Sequence, residues 1–264
     1  MKVPFYQVDA FADHLFAGNP AAVCLLDAWP DTDTLRRAAA ENNLSETAFV
    51  IPGAKGKWAI RWFTPVLEVD LCGHATLAAA HVLFEERGLA GDDLVFTSRS
   101  GDLRVERLED GVLGMDFPVA AVTPAGVTPT LVEGLGAYPT EVGTGVDCLC
   151  VFDAEPMVRE LQPDFRALAR LPYRGVVVTA PADEAGVDFV SRFFAPSAGV
   201  DEDPVTGSSH CALAPFWAKR LGKTRLEARQ LSERGGRLVC EVEGDRVQLE
   251  GRALTYLRGE AELG

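Results

Sequence analysis

The chemistry this sequence offers is of two kinds: a carboxylate that can carry a proton, and backbone amides that can hold an anion. Two helices open on glycine, at Gly73-His74 and at Gly207-Ser208-Ser209. The first amides of a helix lack partners within it and the helix dipole adds positive character, so either start suits a carboxylate or an oxyanion. A tight turn into a buried helix would use glycine equally well. Glu46 lies in Asn43-Leu44-Ser45-Glu46-Thr47-Ala48-Phe49, on a turn from a helix into a strand amid apolar neighbours. A carboxyl group there can act as acid or base, although a solvated turn carboxylate is the commoner use of glutamate. His74 and Asp203 each stand within a few residues of a helix start, and Asp201, Glu202 and Asp203 crowd three negative charges before Pro204-Val205-Thr206-Gly207. A satisfied histidine and a solvated acidic loop are their ordinary readings. His81 and His210 read as helix-interior residues. No set of His, Cys and carboxylates has metal-ligand spacing, and no Walker loop, G-x-S-x-G or dinucleotide fingerprint occurs, so neither a metal nor a cofactor is expected.

The elements that would position these groups are written twice. Arg61-Trp62-Phe63-Thr64-Pro65-Val66-Leu67-Glu68-Val69-Asp70 lies over Arg192-Phe193-Phe194-Ala195-Pro196-Ser197-Ala198-Gly199-Val200-Asp201. After three extra residues in the second copy, placed just behind Asp201, the match resumes. Gly73, Ala78, Gly88, Ser98 and Gly101 then meet Gly207, Ala212, Gly222, Ser232 and Gly235. One register held over so much chain marks an internal duplication. Each copy reads strand, loop, glycine, helix, glycine, two strands. Trp58 to Phe63 and Asp188 to Phe194 are rich in aromatic and branched residues and run up to a proline, as strands do. The helix from His74 to Phe84 has almost no polar face, and His210 to Trp217 is similar. A helix apolar all round must be buried on all sides, so each lobe should wrap a mostly antiparallel, barrel-like sheet around one central helix, in an α+β fold of two pseudo-symmetric lobes.

Pro118, Pro124 and Pro129 mark a link, giving an N-terminal lobe over 1–118, a linker over 119–129 and a C-terminal lobe over 130–264 whose last strand can pack on the first lobe. Pro4 to Phe11 and Ala21 to Leu26 read as strands around the turn Gly18-Asn19-Pro20, and Asp31 or Asp33 can cap a helix to about Asn42. Thr47 to Ile51, Val176 to Ala180, Arg237 to Val242 and Val247 to Leu257 supply further strands.

Composition narrows the partners. Lys and Arg number 25 against 39 Asp and Glu, a net charge of −14, which repels polyanions and argues against nucleic acid. Any small acid that binds must be held by local donors, at a helix start or from a nearby Arg or His. With a mean hydropathy of +0.06 and no long uncharged apolar stretch, no membrane span is expected. The polar N-terminus carries no signal-type core, and six scattered cysteines suit reduced thiols, so a cytoplasmic protein without a disulfide framework is expected.

Phe5 to Ala22 with Gly18-Asn19-Pro20, Leu44-Ser45-Glu46-Thr47, Phe63-Thr64-Pro65, Cys72-Gly73-His74-Ala75-Thr76 and Asp201-Glu202-Asp203-Pro204-Val205-Thr206-Gly207-Ser208 together resemble the phenazine-biosynthesis isomerase-like (PhzF-like) family. The resemblance covers essentially the whole chain. It implies the diaminopimelate-epimerase-like fold, a homodimer, and a small carboxylic-acid substrate whose proton is moved without a cofactor. Carried over by position, it makes Glu46 the catalytic acid/base, with Asn19, Gly73, His74, Asp203, Gly207 and Ser208 binding substrate in the interlobe cleft. Epimerases and racemases of this fold use two opposed thiols, one before each helix-start glycine. Cys72 holds the first position but Thr206 the second, and a hydroxyl is far too weak an acid to replace a thiol, so a two-thiol racemase is disfavoured. Cys72 then reads as a packing residue, although a helix N-terminus favours the thiolate. The form of Cys72 to Thr76, with Gln230-Leu231-Ser232-Glu233-Arg234-Gly235-Gly236, looks more like the family's uncharacterised branch, so the resemblance does not by itself imply phenazine synthesis. A small-anion binding or regulatory protein without catalysis is the alternative from another class.

Overall fold

The structure, a computed structural model, describes every residue from Met1 to Gly264. In chain order the elements are β1 (Lys2–Ala10), β2 (Asn19–Leu25), α1 (Thr32–Asn42), β3 (Glu46–Pro52), β4 (Trp58–Phe63), β5 (Glu68–Val69), α2 (Gly73–His81), β6 (Asp93–Ser98), β7 (Gly101–Arg107) and β8 (Leu113–Pro118). There follow β9 (Thr123–Ala125), α3 (Pro129–Leu135), β10 (Glu141–Thr144), β11 (Cys148–Val151), α4 (Glu155–Arg159), α5 (Phe165–Leu168), β12 (Val176–Pro181), β13 (Phe189–Ala195), β14 (Val200–Asp203), α6 (Gly207–Leu221), β15 (Arg225–Gln230), β16 (Gly236–Glu243), β17 (Arg246–Gly251) and β18 (Ala253–Glu262). These form two compact units, Met1–Asp116 with Glu250–Gly264, and Phe117–Leu249.

In the first unit β1 pairs antiparallel with β18 and β2, β2 runs parallel to β3, β3 antiparallel to β4, and β4 parallel to β6, which turns back into β7. Parallel neighbours need a crossover. Helix α1 supplies it between β2 and β3, and α2 between β4 and β6. The second unit repeats the pattern: β10 antiparallel to β11, β11 parallel to β12, β12 antiparallel to β13, β13 parallel to β15, β15 antiparallel to β16. Helices α4 and α5 make its first crossover and α6 its second. Each sheet is thus mostly antiparallel with two parallel pairings, placed where a helix lies between the strands.

Helix α2 is buried at every residue from His74 to Ala80 and touches β1, β2, β3 and β18, as an all-apolar helix requires. Each fully buried large apolar side chain, such as Leu77 or Leu83, contributes about 1.5–3 kcal/mol. The helix continues as a wider π-type turn over Val82–Glu86. On the outer side of the sheet, Leu35 and Ala39 of α1 pack on Cys24, Phe49 and Phe63. The start of α1 is fixed by Asp31, whose carboxylate accepts from the Thr34 amide at 2.9 Å.

Several boundaries differ from those the sequence suggests. Gly18, at φ +67°, makes its turn alone, because a Cβ there would lie 2.2 Å from the Ala10 carbonyl oxygen; Asn19 and Pro20 already belong to β2, opposite Ala10 and Asp9. Pro129 is the first residue of α3, where its missing N–H costs nothing, and Thr128 caps that helix through the Leu131 amide at 3.3 Å. Pro215 lies inside α6 and cannot donate to the Cys211 carbonyl. That carbonyl instead accepts from Ala120 N at 3.0 Å, which ties the proline-rich segment to the helix. Val247 to Leu257 is interrupted at Arg252, so it is two strands.

The duplicated register also shifts. Arg61 of β4 grips Glu68 of β5 through Nε at 2.7 Å and Nη2 at 2.8 Å, and Arg192 of β13 grips Glu202 of β14 at 2.7 and 2.9 Å. Glu202 is therefore the counterpart of Glu68, and the extra residues of the second copy lie in the turn before it rather than behind Asp201. Neither helix-start glycine has a positive φ, so left-handed backbone is not the reason for glycine at either place. All six cysteines are buried and unbonded. No helix is long and apolar enough to cross a membrane.

Candidate active site

Three chain segments meet in the first unit. Because β2 and β3 are parallel, with Ala21 opposite Glu46, the starts of both strands lie together, and α2 rests on β2 and β3 with its own start beside them. Asn19, Glu46 and His74 are brought into one cluster, with Cys72 joining from the residue that precedes α2. The His74 ring, only 6% exposed, sits with Nε2 3.2 Å from Oε2 of Glu46, whose side chain keeps 18% exposure. The separation is that of an ion pair, but the atoms are not aligned as a hydrogen bond. On the other side of the ring, Nδ1 lies 3.2 Å from Asn19 Nδ2 and 3.6 Å from Cys72 Sγ. An amide suits a ring that changes state: its NH2 donates to a neutral Nδ1, and, turned over, its oxygen accepts from a protonated one. The Thr76 hydroxyl donates to the Cys72 carbonyl at 2.5 Å and holds the first turn of α2.

Burial works against a charged ring at His74, while the Cys72 sulfur and the Glu46 carboxylate favour it, and the balance holds the imidazole well above its ordinary value. Burial, and then the negative charge of Glu46, push the Cys72 thiol up, with His74 opposing more weakly. Burial thus works against the thiolate that the helix position of Cys72 suggests. Ligand atoms of Glu46, Cys72 and His74 all lie within 4.8 Å of one another, an O, S and N set of the kind zinc takes. In the cluster as it stands both ring nitrogens of His74 face protein groups, Nε2 toward Glu46 at 3.2 Å and Nδ1 toward Asn19 at 3.2 Å and Cys72 at 3.6 Å.

In the second unit Asp203, Gly207 and Ser208 surround the start of α6. Asp203 Oδ2 accepts from the Thr206 hydroxyl at 2.5 Å. The acidic run is dispersed by Arg192, which is bonded to Glu202 and to the carbonyls of Val158 and Leu161. Sequence reasoning missed the residue that shapes this loop. Gln230, fully buried, accepts from Thr206 N at 2.9 Å and donates to the Asp203 carbonyl at 2.7 Å. Leu226, Ala228 and Gln230 share the inner face of β15, and a glutamine in an inward, otherwise apolar alternation is the signal that could have found it. Ser208 Oγ accepts from Arg174 Nη2 at 3.0 Å. His210, one turn into α6, donates from Nδ1 to the Thr206 carbonyl at 2.8 Å. Burial, opposed only by that bond, pushes it down to about 4.

Comparison with known proteins agrees with the geometry. The chain is 53% identical over 264 residues, all of each chain, to a protein of Pseudomonas aeruginosa named an uncharacterized isomerase. A solved structure of a phenazine biosynthesis protein of the PhzF family from Enterococcus faecalis superposes with a TM-score of 0.95 at 46% identity, covering both chains fully. A hydroxyproline epimerase from Agrobacterium vitis shares the fold, with a TM-score of 0.65 at 11% identity over 98% of this chain and 92% of that one. The model of the PhzC-PhzF family, described as phenazine biosynthesis-like protein, matches residues 8–259. With that model matched over nearly the whole chain and a relative 53% identical from end to end, the chain belongs to the phenazine biosynthesis-like PhzC-PhzF family.

Proposed function

We propose that this protein is an isomerase that moves a proton within a small carboxylic acid by carboxylate acid/base catalysis, without a cofactor. The observation that carries the reading is the Glu46–His74 pair. Oε2 of Glu46 faces the imidazolium at 3.2 Å, and Oε1 has no partner in the protein. One oxygen is thereby oriented and the other is free to take a proton from carbon and return it elsewhere on the same allylic or enol framework. Charge that develops on the substrate meets the amides at Gly73 and Gly207, with Asn19, His74, Asp203 and Ser208 as further contacts. The raised thiol of Cys72, and a threonine at the corresponding position before α6, disfavour two-thiol racemisation. The family resemblance supports a homodimer, and the six buried, unbonded cysteines suit the reducing cytoplasm.

The test is proton exchange at carbon. A panel of small carboxylic acids incubated in deuterated buffer with the wild-type protein should lose specific C–H signals by proton NMR, and Glu46→Gln, with an unchanged thermal melt, should not support the exchange. A Glu46→Gln variant as fast as wild type would refute the role.

A further inference from the structure

Arg174 is held on three sides within the second unit. Asp147 takes its Nε on one carboxylate oxygen at 2.9 Å and its Nη2 on the other at 2.5 Å. The ring of Phe193 lies beneath the guanidinium, 5.6 Å from centroid to Cζ. Gly175 is what admits that ring, since a Cβ there would stand 2.3 Å from Phe193 Cζ. The third side is Ser208, whose Oγ receives the remaining Nη2 hydrogen at 3.0 Å. An arginine can only donate, so Ser208 is the acceptor in this contact and its own proton is left to be given away. No protein atom receives it, and Nη1 of Arg174 is likewise unused by the protein, while the Arg174 side chain keeps 43% exposure. The corner is therefore rich in donors: the Ser208 hydroxyl proton and Nη1 of Arg174 are open, and the other carboxylate that acts on Arg174, Asp203, accepts from the Thr206 hydroxyl at 2.5 Å. Both oxygens of Asp147, only 11% exposed, are already taken.

We propose that Arg174 is a positioning and specificity-determining residue: clamped by Asp147 and Phe193, it turns the Ser208 hydroxyl proton outward and forms with it a donor-rich corner that selects the carboxylate of the substrate. This deepens the isomerase reading and rests on its assignment of Ser208 as a substrate contact. A carboxylate has only acceptors to offer, whereas a primary amide would turn N–H groups toward N–H and O–H groups. The arrangement also supplies the local donor that a chain of net charge −14 requires to hold an anion.

The test uses the full-length protein and two probes of the same shape, cyclohex-1-ene-1-carboxylate and its primary carboxamide, with affinities from calorimetry or ligand-observed NMR. Wild type should bind the acid about tenfold more tightly than the amide, and Arg174→Gln should bring the two within about threefold. Arg174→Lys keeps the charge and guards against misfolding of the glutamine variant. It should also lose most of the preference, since an ammonium cannot hold Asp147 and Ser208 in one plane. Ser208→Ala should weaken the acid about fivefold in the wild-type background and leave it unchanged when Arg174 is already glutamine. Wild type binding neither probe or both equally, Arg174→Lys with full preference, or additive losses in the double variant would each overturn the proposal. The affinities here are read on wild type and the Arg174 and Ser208 variants without any turnover. A proton-exchange test that fails while the acid preference and its loss in Arg174→Gln hold therefore refutes only the isomerase reading, and the reverse outcome refutes only this one.

Discussion

His74 Nε2 and Glu46 Oε2 stand 3.2 Å apart at the start of α2, and that pairing, with the Cys72 sulfur on the other side of the ring, favours the charged imidazole. Its folded-state pKa is held well above the ordinary imidazole value. Such a group adds stability that is fully present below its unfolded pKa of about 6.5 and is lost as pH rises through the folded value. Urea unfolding of wild type and His74→Gln at a series of pH values should show the wild-type advantage greatest below about pH 6.5 and shrinking as pH rises above it. An advantage that grows with pH would mean the ring is neutral.

Cys72 faces the same cluster but should not be needed for its chemistry. Burial and Glu46 keep it a thiol, and its 7% exposure leaves little room for a reagent. Iodoacetamide near neutral pH should leave proton exchange intact, and Cys72→Ala should stay within about tenfold of wild type where Glu46→Gln falls by about 10²–10⁴. Rapid inactivation by alkylation would restore the thiol mechanism.

His210 carries the opposite sign. Burial lowers it to about 4, so the neutral ring contributes stability that is present above about pH 6.5 and lost as pH falls toward the folded value. The displacement corresponds to about 3 kcal/mol. A His210→Gln variant should lose that much of the acid dependence between about pH 6.5 and 4, as read from denaturant midpoints. The same slope in both proteins would place the acid lability elsewhere.

Arg192 should be among the costliest residues to remove. It is 9% exposed, pairs with Glu202 through two bonds and satisfies the carbonyls of Val158 and Leu161. Arg192→Met strands a carboxylate and two acceptors together and should lower unfolding stability by about 3–5 kcal/mol. Arg61→Met should cost less, because Arg99 still reaches Glu68 at 2.8 Å.

Much of the fold was legible because burial writes itself into composition. The run from Ala75 to Phe84, interrupted only by Thr76 and His81, leaves almost no polar face and pointed to a central helix, and of the two capping candidates Asp31 and Asp33 it is Asp31 that starts α1. Glu46 was found by family position, not by its surroundings, which read as a turn although it is the first residue of β3. The duplicated register slipped at Asp201 because matching letters put aspartate over aspartate, whereas the strands are held by an arginine on a glutamate. Arg174 and Asp147 escaped notice because parallel pairing of β11 with β12 joins residues far apart in the chain, and no local spacing records that contact. Pro129 misled for a simpler reason: a proline that closes a linker and one that opens a helix look the same in sequence.

The matched arginine–glutamate grips of β4–β5 and β13–β14 outlast the chemistry between the copies. Both halves retain the same brace, while the residue ahead of the helix is cysteine in one and threonine in the other. A doubled scaffold can thus carry different side chains ahead of its two helices while the brace beside each stays the same.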